Sequence, residues 1–434
     1  MKKFITDIRE MKDFLLLWLT QSFSGFGSAV TGYALVIWSY TQQGSALTTA
    51  LLMVCSYTPY VLCSIFAGAL SDRWDKKKTM LVCDTLAALC TLTVLILLKT
   101  DQLRIWHLYV INAVSGLMNT VQQPASEVAI TAIVPEKHYQ KTSGLWSASD
   151  SLKTILTPVA ATALLGLFGM DAVILFDLFT FAVAFLTLLL WIRVPKVEPP
   201  AQQREPVLRA AKQGLRYLKE HRGILDLILF LAAINLVASM YEAAFPAMML
   251  SREGGGQTVM GAVNTVIGIS TLVGSLLTVL AGEPKSRVRV ICNTLLFSMS
   301  FENFLLAFGR SGWIWCVGGF LGWIPIPLMS ANMGVLLRTT IPVEIQGRVY
   351  AARNTLQYFT IPVGYFLGGL LVDRMFEPIM AAQSPESVLV RLLGSGKGTG
   401  AALFFLVLAV TGIVVCLIFR RDRHIWALEN EYRS

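Results

Sequence analysis

Long apolar runs, each close to the length that crosses a lipid bilayer, alternate along this chain with short loops that hold most of its lysines and arginines. Stretches of about 18 or more apolar residues read as transmembrane helices, because about 20 residues rising about 1.5 Å each cross the hydrocarbon core. Lipid offers no hydrogen bonds to a bare backbone, so runs of this length must pair their backbone groups internally, as helices. Twelve spans are expected, near 14–38, 45–70, 79–98, 105–130, 144–167, 172–192, 223–248, 259–281, 288–308, 312–337, 354–373 and 400–419. The run from Phe14 to Trp38 is too long for the apolar core of a cleavable signal and lacks a cleavage site, so it reads as a retained first helix.

Charge supports the same class. Only 15% of the 434 residues are charged, against roughly 25% in soluble domains, which excludes a soluble enzyme. The formal charge of +9 does not point to nucleic acid, because the excess sits between apolar spans and reads as the positive-inside signal. With the N-terminus inside, the cytoplasmic segments carry roughly four times as many Lys and Arg as the external ones, so both termini are expected in the cytoplasm. The seven cysteines all fall within apolar spans and read as small apolar fillers, with neither metal-ligand nor disulfide spacing. No metal or other cofactor is expected.

The chain divides into residues 1–192, a linker over 193–222, and residues 223–434. The linker begins with a Pro-rich stretch that cannot be a continuous helix. It then reads as an amphipathic helix with Leu208, Leu215 and Leu218 among basic residues, suited to the cytoplasmic interface. The two large parts echo one another. IVPEKHYQKTSGLWSASD after span four corresponds to TIPVEIQGRVYAARN after span ten, and TPVAATALLG in span five to IPVGYFLGG in span eleven. Two repeated six-helix halves are a transporter design, with substrate held at the interface of the repeats.

The segment GALSDRWDKKK between spans two and three places Gly68 four residues before Asp72, followed by Arg73, Lys76, Lys77 and Lys78. A small residue at the membrane edge permits close helix approach. The carboxylate among basic groups suits a breakable latch. This pattern resembles the loop motif of the major facilitator superfamily. The equivalent loop of the second half, GEPKSRVR, keeps Gly282 but lacks the acidic residue, so the latch is expected on one side only. Within the superfamily the chain is similar to the macrolide-efflux and siderophore-exporter group over nearly its whole length, including LLMVCSYTPYVLCSIFAGALSDRWDKKK, MDAVILFDLFTFAVAF and AAFPAMM. One departure is a long segment over about 374–399, external on this topology. Its Val388, Leu389, Leu392 and Leu393 form an apolar stripe suited to an interfacial helix.

The resemblance implies an all-α fold of two pseudo-symmetric six-helix bundles in the cell membrane, and proton-coupled efflux of a small amphipathic compound. Pro158 in span five, with Pro362, Gly364, Gly368 and Gly369 in span eleven, partly resembles the helix-bending pattern of superfamily antiporters; ordinary close packing of small residues explains the same pattern. Intramembrane carboxylates are costly and therefore candidates by default. Glu242, Glu127, Asp177 and Glu302 are the candidate proton or cation sites, while Asp84, Asp150 and Asp226 are expected near water at the inner ends. Asp150 and Lys153, three residues apart, suit a same-face ion pair.

The resemblance implies that spans one, four, seven and ten line the cavity. Their polar residues Gln21, Ser24, Ser28, Asn119, Gln122, Gln123, Asn235, Tyr241 and Asn332 are candidate substrate contacts, with helix–helix hydrogen bonding as the competing role. A lipid or lysophospholipid transporter is the alternative reading, and a non-transporting receptor or scaffold a further one. A membrane-embedded enzyme is disfavoured, since the four histidines lie at membrane edges or in loops. GSGKGTG near Gly394 has the wrong spacing for a nucleotide-binding loop.

Overall fold

The computed structural model describes residues 10–71, 74–135, 138–195, 207–342 and 345–433. They cluster into two compact units, one of Met1–Trp38 with Cys55–Arg204 and the other of Ser39–Val54 with Glu205–Ser434. Among the described residues the regular structure is helical throughout.

The first unit is built from α1 (Lys12–Gln43), α2 (Ala46–Ser71), α3 (Lys76–Lys99), α4 (Ile105–Ile133) and α5 (Tyr139–Leu190), with the ends of α1 and α2 between Ser39 and Val54 counted in the second unit. Asp75 starts α3, its carboxylate accepting the Lys78 backbone N–H at 3.0 Å. The 52-residue α5 is interrupted at Gly169, whose φ of 79° and ψ of −178° lie in a region essentially reserved for glycine. This break separates the two spans expected near 144–167 and 172–192. Leu17, Met80, Ala125, Ala129, Leu188 and Ile192, from four separate stretches of chain, form a buried apolar cluster.

The second unit holds α6 (Val207–Glu220), α7 (Arg222–Ser251), α8 (Gln257–Leu280), α9 (Arg287–Phe308), α10 (Gly312–Trp323) and α11 (Ile326–Thr340). It continues with α12 (Gln346–Tyr358), α13 (Thr360–Leu371), a π-helical turn (Val372–Phe376), α14 (Glu377–Ala381), α15 (Val388–Leu393), α16 (Thr399–Arg420) and α17 (Arg423–Arg433). The extended loop expected from about 374 is thus helical at its start. In α15, Leu393 is buried while Val388 and Leu392 are exposed. Of the linker-helix anchors, Leu218 is buried against the protein and Leu215 is exposed. Helix α6 packs on α12, which explains why one leucine of the stripe faces inward.

Among the described residues nine helical stretches are long and apolar enough to cross a membrane. One of them, residues 144–190, contains two expected spans on either side of Gly169. The remaining two, α1 and α4, are not among the nine, and they carry the polar rows that the sequence assigns to a cavity.

Candidate functional site

The first unit contains a cavity of about 1100 Å³ between α1, α3, α4 and α5. Helical periodicity explains its composition. Gln21, Ser24 and Ser28 follow an i, i+3, i+7 pattern along α1, and Asn119, Gln122, Gln123, Ser126 and Glu127 follow i, i+3, i+4, i+7, i+8 along α4, so each set occupies one face. All of these residues line the cavity. Helix α5 adds Trp146, Asp150 and Lys153 at i, i+4, i+7, together with Phe181. The wall therefore combines amides and hydroxyls with two aromatic surfaces, three carboxylates and one ammonium, a mixture suited to an amphipathic guest.

Asp84 on α3 also lines this cavity. The sequence places it near water at a span end; the structure buries it to 7% exposure. Its Oδ1 accepts the Gln122 amide at 2.6 Å and its Oδ2 accepts the Gln21 amide at 3.3 Å. This is the residue that sequence reasoning passed over. The available signal was its company: a carboxylate with polar rows on two neighbouring helices. The Asp150–Lys153 pair is formed at 2.7 Å, and Glu127 accepts a long 3.4 Å bond from Gln123.

Asp177 on α5 is buried behind the cavity wall, accepting Ser28 at 2.9 Å and Thr91 at 3.2 Å. Gly27 permits this approach, since a Cβ there would meet the Thr180 hydroxyl at 2.1 Å and the Asp177 backbone at 3.2 Å. Ser28 consequently serves as a link between the cavity and a buried carboxylate.

In the second unit Glu302 on α9 is buried, and one oxygen, Oε1, accepts both the Tyr241 hydroxyl at 2.8 Å and the Trp323 indole N–H at 3.0 Å. Tyr241 is itself buried by this arrangement. Glu242, its chain neighbour, accepts the Tyr365 hydroxyl at 2.6 Å. Asn332 is buried and accepts from Arg287 at 3.0 Å, while Asn235 donates to the Gln357 carbonyl at 3.3 Å. Glu302 with Tyr241 and Glu242 with Tyr365 form separate carboxylate–phenol pairs.

Of the basic loop motif, Asp72 and Arg73 lie outside the described residues, and Gly68 falls within α2. Lys76 is buried. Lys77 donates to the carbonyls of Leu189 at 3.0 Å and Ile192 at 2.8 Å, placing a cation at the C-terminal end of α5. Pro158 lies inside α5. Near Pro362 the helical hydrogen bonding is interrupted at Phe359 while the backbone keeps helical angles, as expected where proline lacks an N–H and its ring crowds the carbonyl four residues earlier. Gly364 and Gly368 lie against α7, where a Cβ would meet Leu236 O at 2.7 Å and Met240 Cα at 2.8 Å. Gly369 lies against the start of α2, where a Cβ would meet Leu47 Cα at 2.7 Å. These three glycines are sites of close backbone approach. Among the described residues no group of three or more His, Cys, Asp or Glu is placed to hold a metal ion.

The family model described as the Major Facilitator Superfamily matches residues 17–365. Macrolide efflux protein A of Streptococcus pyogenes is 23% identical over 366 residues, covering 83% of this chain and 90% of its own. The enterobactin exporter EntS of Citrobacter koseri is 22% identical over 357 residues, covering 79% of this chain and 78% of its own. Among solved structures the nucleoside transporter NupG aligns with a TM-score of 0.66 at 10% identity, covering 94% of this chain and 99% of that one.

Proposed function

The chain belongs to the Major Facilitator Superfamily, and from that membership we propose that it is a proton-coupled secondary transporter exporting a small amphipathic compound across the cell membrane. The observation that carries this reading is the 1100 Å³ cavity of the first unit, with polar rows from α1 and α4, aromatic surface from Trp146 and Phe181, and carboxylates within its wall. The cavity volume lies just above the range of about 300–1,000 Å³ typical of small-molecule sites, leaving room for a drug-sized guest. The similarity to macrolide and siderophore exporters supports a bulky guest with both apolar and hydrogen-bonding surface. Residues 1–192 and 223–434 act as the two halves of an alternating-access carrier, joined by a cytoplasmic linker over 193–222 and with both termini in the cytoplasm. Glu127 is the first candidate for coupling, since it lines the cavity and is exposed there, with a 3.4 Å bond from Gln123 as its side-chain hydrogen bond among the described residues. Glu242, Asp177 and Glu302 are the others.

The test is reconstitution in liposomes under an inside-acidic pH gradient, with dequenching of a lumenal pH dye recorded as erythromycin, enterobactin or ethidium is added. Substrate-dependent proton efflux, lost in Glu127→Gln, is the expected result. No proton movement with any of them, in protein that remains folded, would sink proton-coupled efflux and move lysophospholipid transport to first place.

A further inference from the structure

We propose that Asp84 is a positioning residue whose protonation sets the hydrogen-bond polarity of the cavity wall at Gln21 and Gln122. The inference rests on the transport reading only in taking the first-unit cavity as the place where a guest sits.

An ionised Asp accepts hydrogen bonds and donates none, whereas each glutamine amide carries a donor end and an acceptor end. Asp84 meets both amides through their nitrogens, Gln122 at 2.6 Å and Gln21 at 3.3 Å. With the NH2 groups committed to Asp84, each carbonyl Oε1 is turned away from it, and both residues line the cavity. On this proposal the wall offers amide acceptors at Gln21 and Gln122, suited to a guest bearing hydroxyl or amino N–H donors.

Adding one proton changes the pattern. The proton arrives from the aqueous phase on Oδ2, the oxygen with the longer bond. The new O–H needs an acceptor, and the nearest is Gln21 once its amide turns over by half a rotation. Gln21 then shows its NH2 to the cavity in place of its carbonyl. One acceptor has become a donor, and a guest held through its own donor loses that partner. Proton and guest thus exclude one another at a single site, which is the requirement for exchanging one for the other across a membrane.

Among the described residues, the other charged groups on the cavity wall come from α4 and α5. From α4 there is Glu127, from α5 the Asp150–Lys153 pair and, behind the wall, Asp177 held by Ser28 and Thr91. On α3 itself Cys83 adjoins Asp84, and Lys76 lies two turns earlier. Asp150 already has its cation at 2.7 Å. Glu127 is a second carboxylate on the same wall and needs its own control.

The test uses the full-length purified protein and two readouts. The first needs no guest: an infrared difference spectrum between mildly alkaline and mildly acidic buffer. A protonated-carboxyl band is expected that disappears in Asp84→Asn, persists in Glu127→Gln, and shifts in Gln21→Leu because the acid O–H loses its amide acceptor. A band that survives in Asp84→Asn, or stays unshifted in Gln21→Leu, overturns the proposal. The second readout is ethidium binding by fluorescence anisotropy, ethidium being a fixed cation with amino donors whose own charge does not change over this range. Its affinity is expected to fall about tenfold or more on acidification, as for a buried donor left facing another donor in place of its acceptor. Asp84→Asn should flatten that dependence and Asp84→Glu restore it. Tetraphenylphosphonium, a cation without donors, is expected to show a shallower dependence. An equal fall for both cations overturns the polarity switch in favour of simple charge attraction. If the infrared result holds while neither cation binds at any pH, the polarity switch stands and the reading of this cavity as a cation-accepting drug site fails.

Discussion

Glu302 makes the clearest case at the scale of single residues. Both of its partners, Tyr241 and Trp323, donate to the same oxygen, Oε1. Gln in its place retains that oxygen, so Glu302→Gln is expected to keep near-native thermal stability. Glu302→Leu leaves the buried Tyr241 hydroxyl and the half-buried Trp323 indole N–H without this acceptor, at about 1–3 kcal/mol for the buried one, and should lower the melting temperature measured by thiol-dye unfolding in detergent. A Glu302→Gln protein that folds yet moves no protons would assign coupling to this carboxylate. Gly116 shows a different constraint. A Cβ there would meet Ser56 O on α2 at 2.0 Å, whereas a Cβ at Gly32 meets nothing within 4 Å. Gly116→Ala is expected to cost about 1–3 kcal/mol through forced helix separation, and Gly32→Ala close to nothing. The two glycines look alike in a sequence, because the contact that distinguishes them comes from another helix.

At the scale of elements the recurring device is a helix end capped by a side chain distant in sequence. Asp373 in the π-helical turn accepts the backbone N–H groups of Ala46 and Leu47, each at 2.9 Å, and the Ser45 hydroxyl at 2.5 Å. Four residues on, Glu377 accepts Gly398 N–H at 3.0 Å and Ala401 N–H at 3.2 Å at the start of α16. Glu429 in α17 accepts Val288 N–H at 2.6 Å at the start of α9. Each supplies an anion to the positive end of a helix and an acceptor to its unpaired N–H groups. Asp373→Ala is expected to cost about 1–2 kcal/mol, seen as faster hydrogen exchange confined to residues 45–50. Arginines do the converse for α15. Arg252 donates to the Leu393 carbonyl at 2.9 Å and to Leu306 at 2.8 Å, with its guanidinium 5.7 Å from the Trp315 ring, and Arg310 donates to Arg391 O at 2.5 Å. Burial and, secondarily, Arg310 bring the Arg252 guanidinium down to about 10, so it stays charged at neutral pH. Arg252→Ala should leave the segment from 382 to 397 sensitive to added protease in folded protein.

Across the whole molecule, the positive-inside distribution gives an orientation that can be measured directly. The seven native cysteines all lie in apolar helices, and among them Cys83, Cys292 and Cys416 are buried. Replacing all seven by alanine or serine gives a background for site labelling. A cysteine at Ser395 is expected to react with a membrane-impermeant maleimide applied to intact cells, and one at Gln213 only after the cells are opened. The reverse pattern would invert the topology and with it the direction of transport argued from the similarity to exporters.

The membrane class, ten of the expected spans, the polar rows of α1 and α4, and the family are legible in the sequence alone. These follow from quantities each segment carries alone: the transfer of its side chains into lipid, and the 3.6-residue repeat that sorts polar residues onto one face. Gly169 shows the limit of that information, since the two spans it separates form one nearly continuous helical stretch that breaks only where glycine permits the backbone angle. Which carboxylates are held, and by what, follows from how the helices pack. Asp84 sits eight residues into α3 and reads from the sequence as a group near water; two amides from α1 and α4 make it part of a cavity wall. Asp373 caps a helix more than 300 residues earlier in the chain. A carboxylate's role depends on which donors reach it, and in a helical membrane protein those donors come from helices brought together by packing, which no local pattern records.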